Sequence, residues 1–147
     1  EKELADDLKV FLASEKAVYV VIDATLEVDI ARAAENERRD LRESFGIKES
    51  GLDALIRTGY EALGLITFFT TGVDETRGWT IQRGTNAKDA GAAIHTDFRD
   101  KFIRAEVVFW KDLIDAGGYP AAREKGLVRT EGKEYIVRDG DVIEFKI

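Results

Sequence analysis

The spacing of apolar residues changes at Gly64, from a helical period to the runs and alternation of strands. Before it, Leu52, Leu55, Ile56, Tyr60 and Leu63 recur at helical spacing. They follow Ser50-Gly51-Leu52-Asp53, a capping box with Asp where Glu is commoner. Beyond it, residues 65–70 and 77–82 read as two strands joined by a turn at Gly72-Val73-Asp74-Glu75. Asn86 can cap a helix over 87–99 that turns Ala90, Ile94 and Phe98 inward. Residues 105–110 read as a third strand, and 112–116 and 121–125 as short helical turns around Gly117-Gly118-Tyr119-Pro120. Residues 127–130, 134–137 and 142–146 read as short closing strands. Helices and strands in this order predict an α+β fold.

The first part reads differently. Leu4, Leu8, Phe11 and Leu12 share one helical face of residues 2–13. Residues 17–22 are continuously apolar, as a strand buried on both faces is. Residues 26–44 are rich in Ala, Glu and Arg, which favours helix. Helix-strand-helix is one unit of a parallel α/β sheet, yet residues 1–63 contain no second strand to flank the first. The unit reads as the tail of a larger domain. The expected organisation is a fragment over 1–49, a connecting helix over 50–63 and a complete domain over 64–147.

The chain has no cysteine, which excludes disulfides and thiol chemistry and fits a reducing compartment. No apolar run reaches membrane-spanning length, and Glu1-Lys2-Glu3-Leu4 does not open a signal peptide. A soluble cytoplasmic chain is expected. It also lacks methionine, so it reads as starting inside a longer reading frame or as engineered. The net charge of −7 argues against indiscriminate polyanion binding. The acid is unevenly placed, however. Residues 1–63 hold 9 basic against 15 acidic side chains and residues 64–147 hold 13 against 14, which leaves room for a basic patch on the second part.

Familiar catalytic sets are missing. The nearest approach to a phosphate-binding P-loop is Gly126 to Gly132-Lys133-Glu134, with the wrong spacing and a carboxylate where the magnesium-binding hydroxyl belongs. It reads as a hairpin turn. With one histidine and no cysteine, no structural zinc site is expected. No Gly-x-Ser-x-Gly elbow is present. Arg138-Asp139-Gly140-Asp141 falls far short of a calcium loop and reads as a tight turn. No small-molecule substrate is expected.

Residues 91–109 concentrate polar groups where a helical stretch meets an apolar extended one. They run Gly91-Ala92-Ala93-Ile94-His95-Thr96-Asp97-Phe98, then Phe102-Ile103-Arg104-Ala105-Glu106-Val107-Val108-Phe109. Gly64-Leu65-Ile66-Thr67-Phe68-Phe69-Thr70-Thr71-Gly72 and Trp79-Thr80-Ile81 precede them, and Tyr135-Ile136-Val137-Arg138-Asp139-Gly140-Asp141-Val142 follows. Taken together, residues 50–147 resemble the C-terminal TGS domain of the Obg-like, YchF-type ATPases. The resemblance implies a β-grasp (ubiquitin-like) fold, in agreement with the order of elements. It implies that residues 1–49 end an ATPase (G) domain, and that the intact protein binds and hydrolyses ATP, or GTP as the alternative, with magnesium. The chain itself is expected to lack catalysis, cofactor and nucleotide site, because the family's phosphate loop and switch regions lie upstream. Two departures from the family stand out: Asp23 replaces a serine in the loop that approaches the base, and Lys88 replaces a common proline.

The resemblance also implies an RNA- or ribosome-contacting regulatory module. Arg77, Arg83, Lys88, Arg99, Lys101 and Arg104 are the candidate contacts, with Trp79, Phe98 and Trp110 as aromatic neighbours. The competing reading is solvated charge balanced by Asp74, Glu75, Asp89, Asp97 and Asp100. His95 has two readings as well: an RNA contact near Arg104, or a side chain that caps the helix end with Asp97 as partner. A β-grasp module that docks on protein, without nucleic acid, is the alternative function.

Overall fold

A computed structural model describes residues 6–72 and 74–147. Leu4 of the first expected helix and Val73 of the hairpin turn lie outside the described residues. The chain forms two compact units, Glu1–Leu63 and Gly64–Ile147.

The described part of the first unit is helical: α1 (Asp6–Ser14), α2 (Ala24–Arg32), α3 (Glu35–Ser44) and α4 (Gly51–Ala62). Two of the starts have a local side-chain cause. Asp23 Oδ1 accepts from the backbone N–H groups of Thr25 and Leu26, both at 3.1 Å, and so caps α2. Ser50 caps α4 by accepting from Asp53 N at 3.1 Å, while its hydroxyl donates to Asp53 Oδ2 at 2.7 Å. The helix expected over 26–44 is divided at Ala33 and Ala34, where Arg38 donates to the carbonyls of Ala33 and Ala31 and closes the end of α2.

Residues 17–22 are not a strand, contrary to the sequence expectation. A strand needs a partner for its backbone groups, and no other strand forms among the described residues of this unit. Val18, Tyr19 and Val21 are exposed. Leu52, Leu55 and Ile56 on α4 and Leu63 at its C-cap are exposed too, although they recur at helical spacing.

The second unit holds a five-stranded sheet. Its elements are β1 (Leu65–Thr71), β2 (Thr76–Gln82), α5 (Ala87–Gly91), α6 (Thr96–Asp100), β3 (Arg104–Phe109), α7 (Trp110–Ala116), α8 (Tyr119–Glu124), β4 (Arg129–Glu131) and β5 (Asp141–Lys146). The strand order is β2-β1-β5-β3-β4. β1 and β2 form the expected hairpin, in register from Leu65 opposite Gln82 to Thr71 opposite Thr76. β5 enters parallel to β1 and antiparallel to β3.

Alternation along the strands sends Ile66 and Phe68, Ile81, Ala105 and Val107, and Ile143 and Phe145 into one core. Ala87 and Ala90 of α5 are buried in it, and Ile94, Phe98 and Phe102 pack against it. Phe145 sits among Phe68, Phe98 and Phe102, with edge-on ring centroids 6.0, 6.0 and 6.3 Å away.

Two expectations are corrected here. The helix over 87–99 is two short helices, because His95 takes an extended conformation at φ −165° and ψ 150° between them. Gly91 permits the fold-back: a Cβ there would lie 3.1 Å from Phe98 Cβ. Residues 134–137 form no strand either. Their single ladder contact is an isolated antiparallel bridge between Ile136 and Asn86, because the backbone partner of the segment is the loop at 85–88 and not a strand.

Candidate nucleic-acid interface

The six candidate cations fall into two groups. Arg99 pairs with Asp100 at 3.2 Å, Lys101 with Asp97 at 3.1 Å, and Arg104 with Glu106 at 3.9 Å. Arg77, Arg83 and Lys88 have no carboxylate partner among the described residues. The two readings of these charges therefore divide by residue. Arg77 lies on β2 with its guanidinium 4.3 Å from the centroid of the Trp79 ring. That indole donates from Nε1 to Thr70 Oγ1 at 2.9 Å, so the ring under the cation is fixed. Arg83 leaves β2 with its backbone N–H donating to Gly64 O at 2.7 Å. Lys88 lies on α5, whose cap Asn86 accepts from Asp89 N at 2.8 Å.

His95 starts a helix rather than ending one. Its Nδ1 accepts from Asp97 N at 3.2 Å and caps α6. That bond requires the tautomer with its proton on Nε2. Asp97 thus meets the histidine through its backbone, while its carboxylate holds Lys101. The three aromatic candidates separate as well. Trp79 and Phe98 pack against the core, whereas Trp110 is 44% exposed beside Phe109.

Two polar networks lie outside the sequence reading. Arg123 on α8 bridges Glu106 and Glu144, which sit opposite one another on β3 and β5. The hydrogen bond to Glu106, then its charge, holds the Arg123 guanidinium above its ordinary pKa. Burial, with the charge of Glu144 next, pushes the Tyr119 phenol up. The second network centres on Asp141, 1% exposed, whose Oδ2 accepts from Tyr135 Oη at 2.8 Å and Arg138 N at 2.9 Å. Burial first, then the bond to Asp141, pushes the Tyr135 phenol up to about 12. The sequence signal for that network is slight: an aspartate directly after a turn glycine, at the first position of an apolar strand.

Among the described residues no group of three potential metal ligands assembles, and no helix is long and apolar enough to cross a membrane. The first unit carries an open cleft of about 640 Å³ whose charged lining, Arg39, Arg42 and Lys48 against Glu43, Glu49 and Asp53, is of mixed sign.

Strand order and the helices packed on the sheet define a β-grasp domain of the TGS kind. The YchF-GTPase_C family, described as a protein of unknown function (DUF933), matches residues 65–147, and the chain belongs to it. Over 139 residues it is 46% identical to a ribosome-binding ATPase YchF of Bacillus subtilis (strain 168), covering 95% of this chain and 38% of that protein. A ribosome-binding ATPase YchF of Escherichia coli O157:H7 is 44% identical, with 95% and 39% covered. The structure of the Schizosaccharomyces pombe YchF GTPase superposes with a TM-score of 0.83 at 34% identity, over 96% of this chain and 38% of that one. The chain spans 38 to 39% of the length of these curated relatives.

Proposed function

We propose that residues 64–147 are a non-catalytic RNA- or ribosome-contacting regulatory module. Residues 1–49 are then the end of an ATPase (G) domain and 50–63 its connecting helix. The intact protein binds and hydrolyses ATP, with GTP the alternative, uses magnesium and works in the cytoplasm. The names of the relatives support the ribosome as partner. The observation that carries the RNA reading is the set of cations without carboxylate partners, Arg77, Arg83 and Lys88. Such charges exchange small counterions for phosphates without first breaking an ion pair. Arg99, Lys101 and Arg104 stand behind them as secondary contacts, because each already holds a carboxylate. His95 and Asp97 serve structure in this reading.

The test is affinity for purified ribosomes and for RNA as a function of salt. Arg83→Ala with Lys88→Ala is expected to lower the salt slope by about 0.7–0.9 for each phosphate no longer neutralised. An unchanged slope removes both residues from the interface. One observation favours the protein-docking alternative: Phe109, Trp110 and Ile114 are 38, 44 and 67% exposed. Ribosome binding that survives nuclease stripping of the RNA, with no binding to free RNA, selects that reading.

A further inference from the structure

The loop that carries Arg83 and Lys88 does not stand alone. Residues 85–88 run beside residues 133–137, fastened by backbone bonds. Ala87 N donates to Tyr135 O at 2.7 Å, Val137 N to Thr85 O at 3.0 Å and Lys88 N to Lys133 O at 3.5 Å, around the Asn86–Ile136 bridge. The second segment carries two more exposed cations, Lys133 and Arg138, neither with a carboxylate partner among the described residues. Ile136, 51% exposed, lies between them in sequence.

We infer that these two loops form one composite RNA-backbone site, in which Lys133 and Arg138 contact phosphates alongside Arg83 and Lys88. The inference rests on the RNA reading proposed above and adds a second segment to it. Three observations carry it. Lys88 and Lys133 are joined directly by a backbone bond, and Arg83 and Arg138 lie two residues and one residue from the bonded pair Thr85–Val137, so the four charges belong to one patch rather than to scattered points. Two carboxylates flank these segments, and both are held by neutral donors of the fold: Asp89 Oδ2 accepts from Asn86 Nδ2 at 2.9 Å, and Asp139 Oδ1 accepts from Thr67 N at 2.8 Å. Glu134, the one carboxylate within them, has no partner among the described residues. Finally, the second loop is held in place before any ligand arrives. The buried Asp141 carboxylate accepts from Arg138 N and from Tyr135 Oη, and Gly140 N donates to Thr67 O at 2.8 Å. A loop already ordered loses less conformational entropy on binding. Ile136 adds an apolar surface that suits a ribose or a base face and that an acidic peptide does not require.

The experiment uses the full chain and two probes, a single-stranded poly(U) RNA and purified ribosomes. Binding is measured against salt for wild type, Arg83→Ala/Lys88→Ala, Lys133→Ala/Arg138→Ala, and a control, Lys111→Ala/Lys125→Ala, that removes two other exposed cations. Lys133→Ala/Arg138→Ala is expected to reduce the salt slope by about 1.4–1.8, the value for two phosphates, with the control unchanged. Gln replacements at the same two positions give the same loss if the Ala variant is poorly folded. Photo-crosslinking of the wild type is expected to mark RNA on the segment around residues 133–138. A slope lowered by Arg83→Ala/Lys88→Ala but not by Lys133→Ala/Arg138→Ala, with no crosslink on that segment, overturns this inference and leaves the RNA reading standing. No RNA binding by the wild type at low salt, or binding to a ribosomal protein alone, overturns both.

Discussion

Replacing Asp141 tests whether the polar network under the second loop stabilises the sheet unit. The carboxylate is 1% exposed and accepts two hydrogen bonds, from Tyr135 Oη and Arg138 N, with Arg129 Nη2 at 4.0 Å from its other oxygen. In Asp141→Ala both donors lose their acceptor. Hydrogen bonds to an ionised group contribute about 1.5–3 kcal/mol each, and the relief of carboxylate desolvation offsets part of the loss, so roughly 3–4 kcal/mol is expected. Asp141→Asn can keep both donors on one carbonyl oxygen, because both bond Oδ2, but it loses the charge and turns its amide N–H toward Arg129, so about 1–2 kcal/mol is expected. Both tryptophans, Trp79 and Trp110, belong to the second unit, so their fluorescence in urea reports its unfolding. A Tyr135→Phe background supplies the control, since the Asp141→Ala loss should shrink there by about 1–2 kcal/mol. A loss below about 1 kcal/mol in Asp141→Ala, or no coupling to Tyr135, refutes the network.

The Tyr135 phenol is raised to about 12 in the folded chain, against about 10 unfolded. Its contribution to stability is therefore complete below pH 10 and lost as pH rises through 12. Absorbance titration of tyrosinate in wild type and Asp141→Asn checks this. The midpoint should fall in the variant yet stay above 10, because burial is the larger cause. Gly140→Ala should cost roughly 2 kcal/mol, because Gly140 lies at φ +82° and a Cβ would meet Trp110 Cδ1 at 2.7 Å and Phe109 Cε2 at 2.8 Å. Thermal melts decide it, with the tryptophan spectrum as witness to the displaced ring. His95→Ala removes the cap of α6 and should cost about 0.5–1 kcal/mol while leaving the salt slope of RNA binding alone. A changed slope with unchanged stability would return His95 to the interface.

The sheet was legible where alternation is strong. Ile66 and Phe68, Ile81, Ala105 and Val107, and Ile143 and Phe145 obey the period of two, and their strands lie within a residue or two of expectation. Legibility failed where the deciding interaction is not local. Residues 17–22 have the composition of a buried strand, but composition supplies no partner for its backbone. Residues 87–99 keep the expected inward face through Ala90, Ile94 and Phe98, yet His95 bonds more favourably as a cap than as a helix interior residue. Of the candidate interface, the cations were legible as residue types and their pairing was not. Asp97, Asp100 and Glu106 engage three of the six; only the Asp97–Lys101 pair has the i,i+4 helix spacing that a sequence reading could have used. Lys133 and Arg138 read as turn residues because what joins them to Lys88 is a set of backbone bonds across some fifty residues of sequence.

That placement bears on how a chain of net charge −7 can face a polyanion at all. Total charge governs approach at long range, but at physiological ionic strength charges farther than about 8 Å are largely screened. What an RNA bound as proposed would then meet is the local arrangement. Within the second unit, acids and bases nearly balance in number, 14 against 13. Several of those acids are committed inside the fold: Asp141 to Tyr135 and Arg138, Asp139 to Thr67, Glu106 and Glu144 to Arg123. The same commitments that order the sheet and its loops thus leave Arg83, Lys88, Lys133 and Arg138 without carboxylate partners among the described residues. If the RNA reading holds, added salt should therefore weaken binding in steps set by those four side chains and Arg77, and not by the net charge.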